Sequence, residues 1–275
     1  AAEYALRARH LDPGDYEIGA YIGKMSNEFG LSPKYNGEWA FTGFYRKAFL
    51  NHPAVGVGVQ ASKSVQQLSA QSQFLIGWGG RLDITGAISR SKPGEGFLVG
   101  ASYDLALDRG DRADSVSIQA IYQSRYFTGI SSPFQINTNA LNVTATYTRT
   151  FNPDFSAQFG GSHVRNHRPI RDDYRLYLDG YYRLSRKWQI RGGVDYQHLG
   201  QGTGTRRQGG FGFHVALVFR PSDDDRLEAR YDYRPDRAEL SYDHSSGNHV
   251  GAVAYGGVVS RSRQQTNVSG AVNYI

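Results

Sequence analysis

The chain has 275 residues, a formal net charge of +6, no cysteine, one methionine, 19 tyrosines, 14 phenylalanines and 33 glycines. Without cysteine, a disulfide framework and a thiolate metal site are excluded. Mean hydropathy is −0.52, and no run approaches about eighteen apolar residues, so a transmembrane helix is excluded. A membrane is not, because only every second residue of a barrel strand is greasy and the average then looks soluble.

Residues 1–14 are irregular and polar. Beyond them, apolar and polar residues alternate in runs of about ten, separated by turn residues. In chain order the runs predict strands over 16–23, 38–50, 54–62, 65–78, 81–91, 95–107, 114–127 and 138–151, then 154–164, 172–184, 186–199, 208–220, 225–234, 237–244, 249–260 and 264–274. Leu82, Ile84, Gly86 and Ile88 share one face, with Arg81, Asp83, Thr85 and Ser89 on the other. Likewise Phe211, Phe213, Val215, Leu217 and Phe219 oppose Gly212, His214, Ala216 and Arg220. A period of two puts successive side chains on opposite faces. About sixteen such strands with no helix between them imply one large sheet, and its polar face is too charged for the core of a soluble sandwich. The expected fold is therefore all-β, an antiparallel up-and-down transmembrane β-barrel, with apolar side chains toward lipid and polar ones toward a wet lumen. Residues 1–15 are expected to be a periplasmic segment and 16–275 the barrel, in a bacterial outer membrane. Ala1-Ala2-Glu3-Tyr4 carries no signal peptide, which reads as a mature protein or an excised piece.

Tight turns are expected at Asn51-His52-Pro53, Gly79-Gly80, Asn152-Pro153-Asp154, Ser185-Arg186, Ser222-Asp223-Asp224 and Ser245-Ser246-Gly247. Longer connections are expected at 24–37, 128–137, 163–171 and 200–207, with short outer ones near Pro93-Gly94 and Pro235-Asp236. Bacterial barrels have short periplasmic turns and longer outer loops. Outward positions nearest the tight turns hold Phe49, Trp78, Phe151, Phe155, Tyr182, Trp188, Phe219 and Tyr274, and the other end holds Trp39, Phe97, Tyr196, Phe211 and Tyr233. Amphipathic rings prefer headgroup depth, so these form the expected girdles.

The candidate functional surface is the polar face. Its expected lumen-lining residues are Arg175, Asp179, Arg183, Arg191, Asp195, Arg220, Glu228, Arg230, Asp232, Arg234, Glu239 and Asp243, with Arg46, Arg81, Asp83 and Asp104 earlier in the chain. Charges on a lipid face would cost about 2–4 kcal/mol each near the midplane, whereas in a watery lumen they can pair across strands. Arg226 to Arg234 places alternating charges on one face. Scattered arginines beside acids do not make the one-sided basic patch of a nucleic-acid binder.

No chemistry is expected. His163 and His167 have helical metal-ligand spacing but sit where a strand runs into a loop. Asp243 and His244 are strand neighbours and point to opposite faces. No Ser, His and acid set meets at one rim. Gly200, Gly202 and Gly204 precede no helix, so no phosphate loop is expected. Neither an enzymatic activity nor a cofactor or metal is therefore expected.

Two stretches carry a family likeness. Tyr35-Asn36-Gly37-Glu38-Trp39-Ala40-Phe41-Thr42-Gly43-Phe44-Tyr45-Arg46-Lys47-Ala48-Phe49 is followed by Ala54-Val55-Gly56-Val57-Gly58-Val59-Gln60-Ala61-Ser62. Together they resemble the early barrel strands of fimbrial ushers and usher-like outer-membrane proteins. Pro13-Gly14-Asp15-Tyr16-Glu17-Ile18 looks like the segment leading into that barrel, and Tyr174 to Ser185 and Ser241 to Asn248 are similar to later usher strands. The resemblance implies an outer-membrane pore of the chaperone–usher pathway, embedded in outer-membrane lipid. Folded fibre subunits would be handed to it by periplasmic chaperones, and strand exchange between subunits would drive their passage. The alternative is a passive porin or a polysaccharide-export channel. Ushers have twenty-four strands and a plug, whereas 108–113 is a short turn with no room for one. The likeness therefore implies a reduced version or a barrel fragment, as does the end at Ile275 in place of the usual Phe.

Overall fold

The computed structural model describes residues 11–24, 37–50, 53–77, 79–110, 112–130, 136–167, 171–199, 209–234, 236–245, 253–263 and 265–274. It contains sixteen strands in one antiparallel sheet, each paired with its neighbours in chain order. They are β1 (Tyr16–Lys24), β2 (Trp39–Ala48), β3 (Ala54–Ser62), β4 (Val65–Ile76), β5 (Gly80–Ser91), β6 (Gly94–Asp108), β7 (Ala113–Gln123) and β8 (Asn139–Asn152). Then follow β9 (Phe155–Asn166), β10 (Asp173–Arg183), β11 (Trp188–His198), β12 (Gly210–Phe219), β13 (Asp225–Asp232), β14 (Arg237–Ser245), β15 (Val253–Arg261) and β16 (Thr266–Tyr274). The expected runs map onto these strands one for one. The expected N-terminal segment lies outside the described residues over 1–10, as do Asn51, His52, Trp78, 200–207 and 246–252, which take in Ser246 and Gly247 of an expected turn.

Two compact units make up the chain. The first holds 1–106, 116–145 and 162–173, and the second 107–115, 146–161 and 174–275. In both, burial follows an inverted rule. Among the described residues the buried apolar side chains are small: Ala48, Val65, Ala87, Ala140, Ala216 and Val218. Large apolar side chains line the exposed face instead, with Ile88 at 60%, Phe211 at 77% and Val215 at 46% exposure. Polar Arg46, Ser89 and Gln189 are buried on the opposite face. A sheet that buries arginine and glutamine while presenting valine, leucine and phenylalanine is stable only where the surrounding medium is apolar.

Tight turns are closed by side chains chosen for that job. The Asn152 carboxamide oxygen accepts from Asp154 N at 2.9 Å and Phe155 N at 2.8 Å. Ser185 Oγ accepts from Lys187 N and Trp188 N, and Ser222 Oγ from Asp225 N. These are Asx and ST turns, in which a short polar side chain replaces a backbone acceptor. Gly79 takes φ +84°, which only glycine adopts cheaply.

Most expected boundaries shift by a residue or two, and three shifts have a visible cause. The strand expected over 114–127 ends at Gln123, because Ser124 closes the pairing with Phe97 and the chain then leaves the sheet. The strand expected to end at 164 runs on to Asn166, so the connection expected at 163–171 occupies 167–172 and His163 lies within β9. The strand expected over 225–234 stops at Asp232, and Tyr233 and Asp236 close a turn with Asp236 at φ +47°.

Candidate functional site: the polar face

Register places the candidate side chains. In the second unit β10 pairs with β11 so that Arg175, Asp179 and Arg183 stand opposite Gln197, Gly193 and Gln189. Arg191 and Asp195 stand on the same face, opposite Ala216 and Gly212 of β12. His214, Ala216 and Val218 then oppose Asp232, Arg230 and Glu228. Across β13 and β14, Arg226 faces Asp243, Arg230 faces Glu239 and Asp232 faces Arg237. Ten of the twelve expected lining residues therefore share one face, and across β13 and β14 opposite charges stand directly across from each other. Arg220 does not join them in a strand: it follows β12, lies exposed in the turn, and its N–H donates to Lys187 O. Arg234 also lies past its strand, yet its Nη2 donates to Asp195 Oδ2 and Gly210 O, both at 2.8 Å. That reach crosses Gly212, where a Cβ would come within 2.8 Å of both Arg234 Nη2 and Asp195 Oδ1.

The expected cross-strand pairing is only part of the pattern. Other close ion pairs run along the strands, between residues two apart. Arg230 Nε lies 2.9 Å from Asp232 Oδ2, Arg237 Nη2 lies 2.6 Å from Glu239 Oε2, and Arg226 pairs with Glu228. Residues two apart share a face, and a long guanidinium leans along the strand more easily than it spans two backbones. Cross-strand pairs are present as well, Arg234 to Asp195 at 2.8 Å, His214 to Asp179 at 3.4 Å and Arg175 to Asp195 at 3.7 Å.

The first unit builds its polar face from neutral groups. Thr42 opposes Gln60, Gln60 opposes Gln67, Gln71 opposes Thr85 and Gln67 opposes Ser89. Among the described residues its strand ion pairs on that face are Arg46 with Glu17 at 3.3 Å and Arg81 with Asp83 at 2.9 Å and Asp104 at 3.3 Å. Onto this neutral wall folds the segment 124–130. Buried Thr128 donates its N–H to Ser89 Oγ at 3.0 Å, and Asn137 Nδ2 donates back to Ser124 O at 3.0 Å. Gly96 is the seat: a Cβ there would overlap the backbone of Phe127. The long connection expected at 128–137 begins earlier, since the chain leaves the sheet at Ser124, and 131–135 lie outside the described residues.

Aromatic rows occupy the outward face where expected. In the second unit Phe151 stacks on Phe155 at 5.0 Å, Phe155 meets Tyr182 edge-on, and Trp188 stacks on Phe219 at 4.4 Å. Tyr196 packs on Phe211 at the opposite strand ends. In the first unit Phe97 packs on Tyr122 at 5.5 Å.

Sequence reasoning missed one cluster. His244 does not pair with Asp243, which lies on the other face. Its Nδ1 lies 2.9 Å from Asp225 Oδ1, the residue opposite it in register. Tyr242 donates to the same carboxylate at 2.6 Å, and so does Ser222 at 2.6 Å. Counting back along both strands from the turn at 233–236 finds the pair only once the register across that turn is known. The geometry is not that of a nucleophile relay, because the Ser222 hydroxyl gives its proton to the carboxylate and not to an imidazole. Asp225 organises the outward aromatic row, where Tyr255 stacks on His244 at 4.7 Å. His163 and His167 do not converge: His167 Nε2 contacts Gln123 O at 3.2 Å, and four strand residues span about 13 Å.

No protein-family model and no curated protein matches the sequence. Solved structures do match. The E. coli P pilus tip assembly intermediate PapC-PapD-PapK-PapG contains a chain, the PapC usher, similar over 96% of this protein at 13% identity with a TM-score of 0.59. This protein spans only 36% of that chain's length. BamA from Haemophilus ducreyi is similar over 94% of this protein and 70% of its own chain, at 11% identity and a TM-score of 0.39. With its sixteen up-and-down strands and its apolar exposed face, the protein has the all-β antiparallel fold of an outer-membrane β-barrel.

Proposed function

We propose that the protein is a non-enzymatic outer-membrane pore of the usher class. Its polar face would line the passage for fibre subunits delivered by periplasmic chaperones. One observation carries the reading: a charge lattice is held on one face of the sheet while large apolar side chains are exposed on the other, in a fold like that of PapC. Alternating charge along β13 and β14 wets the wall without giving it a single sign. Such a wall neither grips an apolar cargo nor rejects one by charge.

A specific observation favours a second reading, a passive pore for small solutes. The segment 124–130 lies on the polar face and is hydrogen-bonded to it, as a constriction would be. The two readings part in one experiment. The protein is reconstituted in liposomes and offered a periplasmic chaperone–subunit complex, with the free chaperone as control. Selective retention of the complex supports the usher reading. Ion conductance in a planar bilayer with no retention assigns the passive pore, and neither behaviour overturns both.

A further inference from the structure

The outward face carries two grooves, each with an arginine at one end, and they differ in how that arginine is neutralised. In the first unit a groove of about 690 Å³ runs among Val59, Leu68, Ile88 and Phe97. Its Arg90 is paired within the chain, 3.6 Å from Glu95. In the second unit a groove of about 470 Å³ runs among Val215, Leu217, Ala229, Ala238, Leu240 and Val259, and ends at Arg261. The floor is low because Ala229 and Ala238 stand between larger side chains. Arg261 shares the outward row of Val259, directly opposite Ala238 on one side and Thr266 on the other.

Among the described residues no carboxylate faces Arg261. The nearby acids are already taken: Tyr231 donates to Asp236 Oδ1 at 3.0 Å and Arg263 Nε to Asp236 Oδ2 at 2.6 Å, and Glu239, which also borders the groove, pairs with Arg237 Nη2 at 2.6 Å. An arginine on a lipid-facing row is stable where an anion meets it. The groove that leads to it has the apolar lining that suits a hydrocarbon chain.

We propose that this groove holds one acyl chain of an anionic, phosphate-bearing lipid, whose headgroup pairs with the Arg261 guanidinium. A guanidinium binds phosphate oxygens in a forked geometry that an ammonium cannot copy. The first-unit groove lacks this selectivity, since Glu95 already occupies its arginine. The proposal rests on the outward face meeting lipid. A general need for detergent tests that premise, and headgroup preference tests the site.

The experiment is native mass spectrometry of the purified protein in detergent doped with phosphatidylglycerol or with phosphatidylcholine of the same chains. The expected result is about fivefold stronger retention of phosphatidylglycerol, the scale of one arginine meeting an anionic headgroup. Arg261→Gln removes the preference. Arg263→Gln keeps it, because that arginine serves Asp236. Ala238→Leu fills the groove and lowers retention of both lipids. Equal retention of the two lipids by the unaltered protein, or an unchanged preference in Arg261→Gln, overturns the proposal. Displacement of phosphatidylglycerol by inorganic phosphate would assign Arg261 to a free anion and overturn it as well.

Discussion

The two units use the same strand geometry and the same outward apolar face, yet their polar faces are built from different material. The first is a wall of glutamine, serine and threonine, and the second is a lattice of arginine and carboxylates. Among the described residues, the neutral wall carries a segment of chain packed against it and the charged one does not. Amide and hydroxyl groups lose water at modest cost when a backbone N–H replaces it, as Thr128 does for Ser89. Charged groups lose far more, so packing a segment on Arg230 and Asp232 would cost more than its contacts return. Neutral polar faces can be covered, whereas charged ones stay wet.

That contrast can be broken at its glycines, where the largest effect is expected. Gly96 and Gly212 each sit on a polar face beneath something close. At Gly96 the obstacle is the Phe127 backbone, and at Gly212 it is the tips of Arg234 and Asp195. Backbone cannot move aside and side-chain tips can. Gly96→Ala should therefore cost about 1–3 kcal/mol or unseat the segment, while Gly212→Ala stays within about 1 kcal/mol of neutral. Unfolding in detergent measures both. With no native cysteine, Thr128→Cys reports unseating through a membrane-impermeant thiol reagent. Slow labelling in the Gly96→Ala background, with no loss of stability, would sink the assignment of Gly96 as the seat.

A second prediction uses the charge difference itself. Glu228→Gln with Asp232→Asn removes carboxylates from the lattice and should move ion preference toward anions. Gln71→Glu adds one to the neutral wall and should move it the opposite way. Reversal potentials in a planar bilayer under a salt gradient decide the matter. An unchanged potential in the double variant means that β13 does not line the conducting path.

The smallest effect concerns acid. Glu38 and Asp236, outside the strands of the first and second units, both titrate below the ordinary carboxylate range. Hydrogen bonds from Ser64 lower Glu38, whereas Arg263 first and then Tyr231 lower Asp236. A depressed carboxylate stabilises the fold above its ordinary pKa, and the contribution disappears as pH falls through the depressed value. Glu38→Gln and Asp236→Asn should each flatten the acid limb of the stability profile. Salt should weaken the Asp236 contribution more than Glu38's, since the Arg263 cation is the leading cause for Asp236 whereas Lys63 is the smallest for Glu38. Equal salt sensitivity of the two would remove the distinction.

Much of this was legible in the residues alone. Alternation in Phe211 to Phe219 and Leu82 to Ile88 determined strands, faces and membrane, because a period of two admits one partition of side chains. The same rule put Arg175, Asp179 and Glu239 on one surface and separated Asp243 from His244. Register was not legible, and everything that depends on it came from the tertiary structure. The pairing of His244 with Asp225 needs the two strands aligned across their turn. So does Arg234 crossing the gap at Gly212. The early end of β7 was also hidden: Ser124 to Phe127 continues a β-like composition, and only the bare backbone at Gly96, on another strand, makes a place for those residues to leave the sheet. A sequence carries periodicity locally, residue by residue. Which glycine lies beneath which distant backbone is set by how neighbouring strands slide past one another, and that is decided only when they pair.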